Sequence, residues 1–181
     1  MKILSLNVRG LGGSAKQKSL HHLLVSFSPE LILLQETISS TYPTLLAFSK
    51  LRPGWEFCAI GSKGLLGGIL SGWNPLRVRC KDFKTLAGIL LKARFRGSHT
   101  SLSILNCYGP YLNRDVFSNS ATRGGLLFLP NLILAEELNL TLNVSEIWGS
   151  KAQIDPLAPF FTQLFGDYNL VDVAPSCAGP T

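Results

Sequence analysis

The chain has 181 residues, a length that suits one folded domain with a sizeable core, and 1–181 reads as a single domain. Apolar residues make up 46% and charged residues only 15%, which excludes a disordered chain. Lys and Arg number 17 against 11 Asp and Glu, a net charge of +6 with a pI near 9.3, which suits a polyanionic partner and equally a merely soluble surface.

Lys2–Asn7 reads as a strand. Ser14-Ala15-Lys16-Gln17 reads as a capping box opening a helix that runs to about Phe27, with Leu20, Leu23, Leu24 and Phe27 as its buried stripe and Pro29 as its stop. Leu31–Gln35 is a short apolar strand expected to be central. Thr41 to Leu51 reads as a second helix, with Pro43 in its first turn. Five runs follow without a helical period: Trp55–Ile60, Gly68–Trp73, Val78–Phe83, Ala87–Phe95 and Thr100–Cys107. Gly, Pro, Asn and Ser turns separate them, the pattern of an antiparallel meander. Val78 and Cys80 alternate with Arg77, Arg79 and Lys81 as on a half-exposed strand. Asn113–Phe128 is weakly helical. Asn131–Glu137 is a strand, Asp155–Phe165 a helix with Asp155 as N-cap and Pro156 at its first position, and Leu170–Val173 the start of a last strand. Helices at both ends of a run of strands fit a mixed α/β architecture with helices outside the sheets.

Four cysteines, Cys58, Cys80, Cys107 and Cys177, form no CxxC pair, and three lie in apolar runs as reduced core residues. This points to a nuclear or cytoplasmic compartment and away from secretion. No N-terminal run has the form of a signal peptide, and the apolar stretch from Leu126 to Leu134 is broken by Pro130 and too short to cross a bilayer, so no membrane is expected as partner.

The chemistry-bearing pattern is a repeated one. Four strand-like runs end on oxygen-bearing side chains: KILSLN at Asn7, LILLQE at Glu36, LSILNCY with Asn106 and Tyr108, and LILAEELN with Glu136, Glu137 and Asn139. Carboxylates and amides gathered at one end of a sheet suit a hard cation such as Mg²⁺, which takes oxygen ligands. A second reading also fits. Gly10-Leu11-Gly12-Gly13-Ser14-Ala15 matches G-x-G-x-x-A between a strand and a helix, and Glu36 follows where a ribose-binding acid belongs. That reading needs an alternating β/α continuation, and residues 55–108 offer consecutive strands.

SLNVRGL (5–11), LLQET (33–37), ILNCYGPY (104–111) and LILAEELNLTLN (132–143) resemble, in order and spacing, the motifs of the endonuclease/exonuclease/phosphatase superfamily. Within it the chain most resembles the apurinic/apyrimidinic-type endonuclease domain of plant LINE retrotransposons, and NLVDVAPSCAGPT (169–181) resembles a later segment of that family. The resemblance implies a two-layer β-sandwich flanked by helices, of the DNase I-like type, truncated at its C-terminus. It implies Mg²⁺ (or Mn²⁺) as cofactor, DNA as substrate, and a fused or co-encoded reverse transcriptase as partner. Glu36 would be the metal ligand, with Asn7 helping to position metal or phosphate. Tyr108 would donate to a phosphate oxygen, Asn139 would orient the attacked phosphate, and Glu137 would stand at a catalytic acid position. Arg9, Lys63 and Arg114 would reach the DNA backbone, although each also suits an ordinary solvated surface.

The chain departs from the family in two places. The family's Gly-Asp-x-Asn is here Glu136-Glu137-Leu138-Asn139. The extra methylene of Glu137 moves its carboxylate by about 1 Å, and a shift of that size can cost on the order of 100-fold in a preorganised site. Glu136 adds bulk and charge where backbones are expected to approach closely. The family's closing Ser-x-x-Asp and Asp-His elements are not reached by residue 181, and His21, His22 and His99 stand in a helix and a turn rather than at strand ends. The expectation is therefore an impaired or lost nuclease, with a non-catalytic nucleic-acid-binding remnant as the other outcome.

Overall fold

The computed structural model describes residues 1–62, 64, 67–109, 122, 124–142 and 154–173. They fall into two compact units, Met1–Leu138 and Asn139–Thr181. The first unit carries two four-stranded sheets. One is built from β1 (Ile3–Asn7), β2 (Leu31–Gln35), β4 (Ile69–Trp73) and β3 (Glu56–Ile60), in that spatial order. The other runs β5 (Val78–Lys84), β6 (Gly88–Phe95), β7 (Leu102–Tyr108), β8 (Leu132–Glu137). β1 pairs parallel to β2 and β7 parallel to β8, and all other pairings are antiparallel.

Alternation along each strand builds the layers, because successive side chains point to opposite faces. From the first sheet Leu31, Leu33, Ile69 and Trp73 pack against Val78, Ile89, Leu91, Phe95 and Ile104 of the second, the core between the sheets. The alternate residues Ile32, Leu34, Ala59 and Leu70 face outward and meet Leu20 and Leu24 of α1 (Ser14–Phe27) and Phe48 of α2 (Thr41–Leu51). β2 is buried along its whole length, as an internal strand covered on both faces must be. The wholly apolar LILL run therefore reports a central strand.

Four expectations are corrected. Ser14 does not cap α1: the cap is Gly13, no side chain bonds the helix start, and Gln17 donates instead to the Leu11 carbonyl at 3.3 Å. Phe27 is exposed, because α1 ends there, with Ser28 in a left-handed turn before Pro29. The five strands from 56 to 108 are not one meander. β4 and β5 belong to different sheets, and the Asn74 turn carries the chain across, with the Arg77 and Val78 N–H groups on the Asn74 carbonyl at 2.9 and 2.8 Å. Among the described residues the dinucleotide reading is not met either: β2 is followed in space by antiparallel β4 rather than by a third parallel strand.

In the second unit, α3 spans Ala158–Asp167, starting later than the expected Asp155 cap. Asp155 instead makes a turn ahead of it, its side chain accepting the Leu157 N–H at 2.9 Å and its carbonyl the Ala158 N–H at 2.9 Å. Pro156 lies in that turn. Residues 170–173 form no strand. Of the weakly helical Asn113–Phe128 segment, the described part contains a 3-10 turn at Leu126–Phe128. Among the described residues no helix is long and apolar enough to cross a membrane.

Candidate active site

Parallel pairing of β1 with β2 sets Asn7 beside Gln35, so Asn7 and Glu36 leave the first sheet at the same end. Parallel pairing of β7 with β8 sets Tyr108 beside Glu137 at the end of the second sheet. The two ends meet. The Asn7 amide donates to the Glu137 carboxylate (Nδ2 to Oε2) at 2.6 Å, across 130 residues of sequence. The Asn7 Oδ1 accepts the Arg9 N–H at 3.0 Å, which turns the NH₂ group toward Glu137, the only orientation able to donate to a carboxylate.

A loop closes the other side. The Glu36 carbonyl accepts the Gly10 N–H at 2.6 Å, and the Thr37 and Ile38 N–H groups donate to the Gly68 and Gly67 carbonyls, both at 3.0 Å. Gly67 lies flat on Tyr108: an added Cβ would stand 3.3 Å from the ring. A Cβ on Gly68, whose φ is +84°, would collide with the Thr37 hydroxyl. Both positions admit only glycine without rearrangement. Asn7, Glu36, the Gly67-Gly68 turn, Tyr108 and Glu137 thus follow one another around one end of the sandwich.

This end is also where the backbone is held off its minima. Arg9, Glu36 and Ile38 have φ of 44°, 53° and 46°. A left-handed conformation costs a non-glycine residue roughly 1–2 kcal/mol, and for a β-branched residue such as Ile38 it is a true outlier. Such strain persists only where surrounding contacts over-determine it, as the three backbone hydrogen bonds above do, and it clusters at functional sites.

Directly behind the site lies a polar group that strand-end reasoning did not assign a role. Gln35 and Asn106 are both buried, on facing sheets. The Gln35 amide donates to Asn106 Oδ1 at 2.8 Å and to Ser5 Oγ at 3.2 Å, and the Asn106 amide donates to the Leu70 carbonyl at 2.9 Å and Ser71 Oγ at 3.1 Å. The signal was present in the sequence: an amide inside LILLQ and another inside LSILNCY each demand a buried partner.

The other expected residues fall as follows. Arg9 is exposed beside the site. Lys63 and Arg114 lie outside the described residues. Asn139 opens the second unit with a left-handed φ of 52°. Glu136 stands opposite Cys107 in the β7–β8 pairing and is exposed. His21 and His22 lie on α1 and His99 in the β6–β7 turn, all exposed.

The donor set is all oxygen and amide. Among the described residues no group of three His, Cys, Asp or Glu side chains could hold a metal ion. Among the described residues, Glu36 and Glu137 are carboxylates that this end offers. That fits Mg²⁺, which keeps several waters and is usually held by one or two carboxylates together with substrate phosphates.

No family model matches the chain, and no curated protein matches it. Solved structures do. The catalytic domain of Xenopus laevis APE2 superposes with a TM-score of 0.63 at 15% identity, covering 91% of this chain and 67% of its own. The 3'-5' exonuclease NExo from Neisseria meningitidis gives 0.61 at 14% identity, with 93% and 71% covered. The AP endonuclease LMAP from Leishmania major gives 0.58 at 16% identity, with 82% of this chain and 58% of that one covered, so the chain spans little more than half of the Leishmania structure. At these identities the likeness is one of fold: two facing mixed sheets with helices packed outside the first, the DNase I-like architecture.

Proposed function

We propose that this end of the sandwich is a Mg²⁺-dependent phosphodiester hydrolysis site acting on DNA, of the kind a plant LINE retrotransposon uses to nick its target, and that Glu136-Glu137 slows it. The observation that carries the reading is the 2.6 Å bond from Asn7 to Glu137, which joins two strand-end residues of different sheets beside Glu36. Two of the structures sharing the fold are, by name, an AP endonuclease and a 3'-5' exonuclease, which supports the same reaction class.

Glu36 would hold the cation through its carboxylate oxygens, with Asn7 helping to position it. When bound, the ion supplies Lewis-acid stabilisation of charge developing on the phosphate. The chain's own residues do the rest. Asn7 fixes the Glu137 carboxylate, which accepts a proton from the attacking water. Tyr108 donates its hydroxyl to a phosphate oxygen, and Asn139 orients the phosphate for in-line attack. Arg9, Lys63 and Arg114 would lend positive charge to hold the DNA backbone, and that charge makes DNA affinity fall as salt rises. A fused or co-encoded reverse transcriptase would use the nicked end, in the nucleus or cytoplasm.

Nicking of supercoiled plasmid tests this. The expected result is slow relaxation that requires Mg²⁺, stops with EDTA and is absent from Glu36→Ala. Salt-sensitive plasmid binding that is indifferent to EDTA and to Glu36→Ala, with no nicking, would replace the reading with a binding-only role, which the +6 charge favours.

A further inference from the structure

The opposite end of the first sheet holds a polar cavity. Ile3, Leu31 and Trp73 begin or end their strands there, four residues from Asn7, Gln35 and Ile69, a separation of roughly 13 Å along the strands. The cavity measures about 480 Å³, and Lys2, Glu30, Arg52, Trp55, Asn74 and Arg77 line it. Three of these side chains are cations. The one carboxylate, Glu30, is already occupied, its Oε2 accepting the Lys2 N–H at 2.9 Å and lying 3.3 Å from the Met1 nitrogen.

Arg52 is the anomaly. It follows α2, its N–H caps the helix on the Phe48 carbonyl at 2.9 Å, and its guanidinium lies 5.8 Å from the centre of the Trp55 ring. Its Nε and Nη2 atoms are buried and have no hydrogen-bond partner. Burying a charged donor without an acceptor is costly. Nε and Nη2 share one edge of the guanidinium, the edge that makes two parallel hydrogen bonds to a carboxylate or phosphate. No carboxylate among the described residues pairs with Arg52, Lys2 or Arg77.

We propose that this cavity is a phosphate-binding site, separate from the candidate active site, in which Arg52 takes two phosphate oxygens through Nε and Nη2. Trp55 holds the guanidinium plane, while Lys2 and Arg77 at the rim complete the charge. A phosphate monoester and a phosphate of a nucleic-acid backbone present the same oxygens, and the 480 Å³ volume admits either.

The test uses the full chain and two probes, inorganic phosphate and a short DNA duplex. Each is followed by the Arg52 Nε–Hε signal in ¹⁵N spectra and by the melting temperature, against chloride at equal ionic strength. Phosphate at about 10 mM should move the Arg52 signal saturably and raise the melting temperature by about 3–5 °C. The melting shift should vanish in Arg52→Gln and fall sharply in Arg52→Lys, which keeps charge but not the paired donors. Should Arg52→Gln fail to fold, Arg77→Gln, on an exposed residue, should weaken the same signal shift several-fold. A shift with the duplex but not with phosphate assigns the nucleic-acid backbone as the source of the phosphate. An Arg52 signal unmoved by both probes overturns the proposal, as does an undiminished melting shift in the Gln variants.

Discussion

Asn106→Ala should be among the most damaging single substitutions in the first unit. The side chain is fully buried and makes three hydrogen bonds, one accepted from Gln35 at 2.8 Å and two donated, to the Leu70 carbonyl at 2.9 Å and Ser71 Oγ at 3.1 Å. Its removal leaves the Gln35 amide with only the longer 3.2 Å bond to Ser5 and opens a polar void between the sheets. An orphaned buried group costs roughly 1–3 kcal/mol, and with the lost packing the sum is about 2–4 kcal/mol. For a chain of this size that lowers the melting temperature by about 5–12 °C. The sharper test is a double-mutant cycle by urea unfolding. Gln35→Met with Asn106→Leu removes both polar partners, so it should cost less than the two single changes added, with a coupling of about 0.5–3 kcal/mol. Ser101→Ala, which removes only two exposed bonds from Arg94, is the control and should stay within about 0.5 kcal/mol. Strict additivity, or an Asn106→Ala cost near that of the control, would refute the argument that this amide pair ties the sheets together.

Other expectations are as definite. Gly68→Ala should destabilise the chain and abolish nicking together, because the new Cβ meets the Thr37 hydroxyl next to Glu36; a stable, active variant would contradict the glycine argument. Asn7→Ala should slow Mg²⁺-dependent nicking by about 10–100-fold, the usual loss when a supporting group at a metal site is removed, with little change in unfolding midpoint. Burial pushes the Cys58 and Cys80 thiols up to about 12, with Asp82 adding to both, and raises Cys107 well above its usual range, aided by Glu136. In a Cys177→Ser background these thiols should therefore resist a thiol reagent at pH 8 until the chain is unfolded. Because the folded state keeps protons that the unfolded thiols release near pH 9, this stabilisation is intact below pH 9. It should be lost progressively as pH rises toward 12, a fall visible in unfolding midpoints.

Much of the fold was legible because strand and helix periods are strong local signals. LILL in β2 announced burial on both faces, and Thr41–Leu51 matched its helix to the residue. Sheet membership was not legible: short antiparallel runs look alike whether they pair with a neighbour or cross to another sheet, and the crossing at Asn74 depends on a turn, not on a period. Helix starts were misjudged where a capping pattern had a competitor. Gly13 took the cap position before Ser14, and Asp155 spent its side chain on a turn. The meeting of Asn7 with Glu137 could be expected from strand-end chemistry plus resemblance, since parallel pairs deliver their ends together. The glycine turn at 67–68 and the unpartnered edge of Arg52 carry no sequence signature, because both arise from contacts between distant segments.

The central claim is that a working arrangement for phosphodiester hydrolysis is held at this end of the sandwich and is slowed by Glu136-Glu137. The most direct measurement compares plasmid nicking by the natural chain, by the double variant Glu136→Gly with Glu137→Asp, and by that double variant carrying Glu36→Ala. The double variant should nick on the order of 100-fold faster than the natural chain, only with Mg²⁺, and the added Glu36→Ala should remove the gain. A folded double variant that nicks no faster, or a gain that survives Glu36→Ala, would contradict the account.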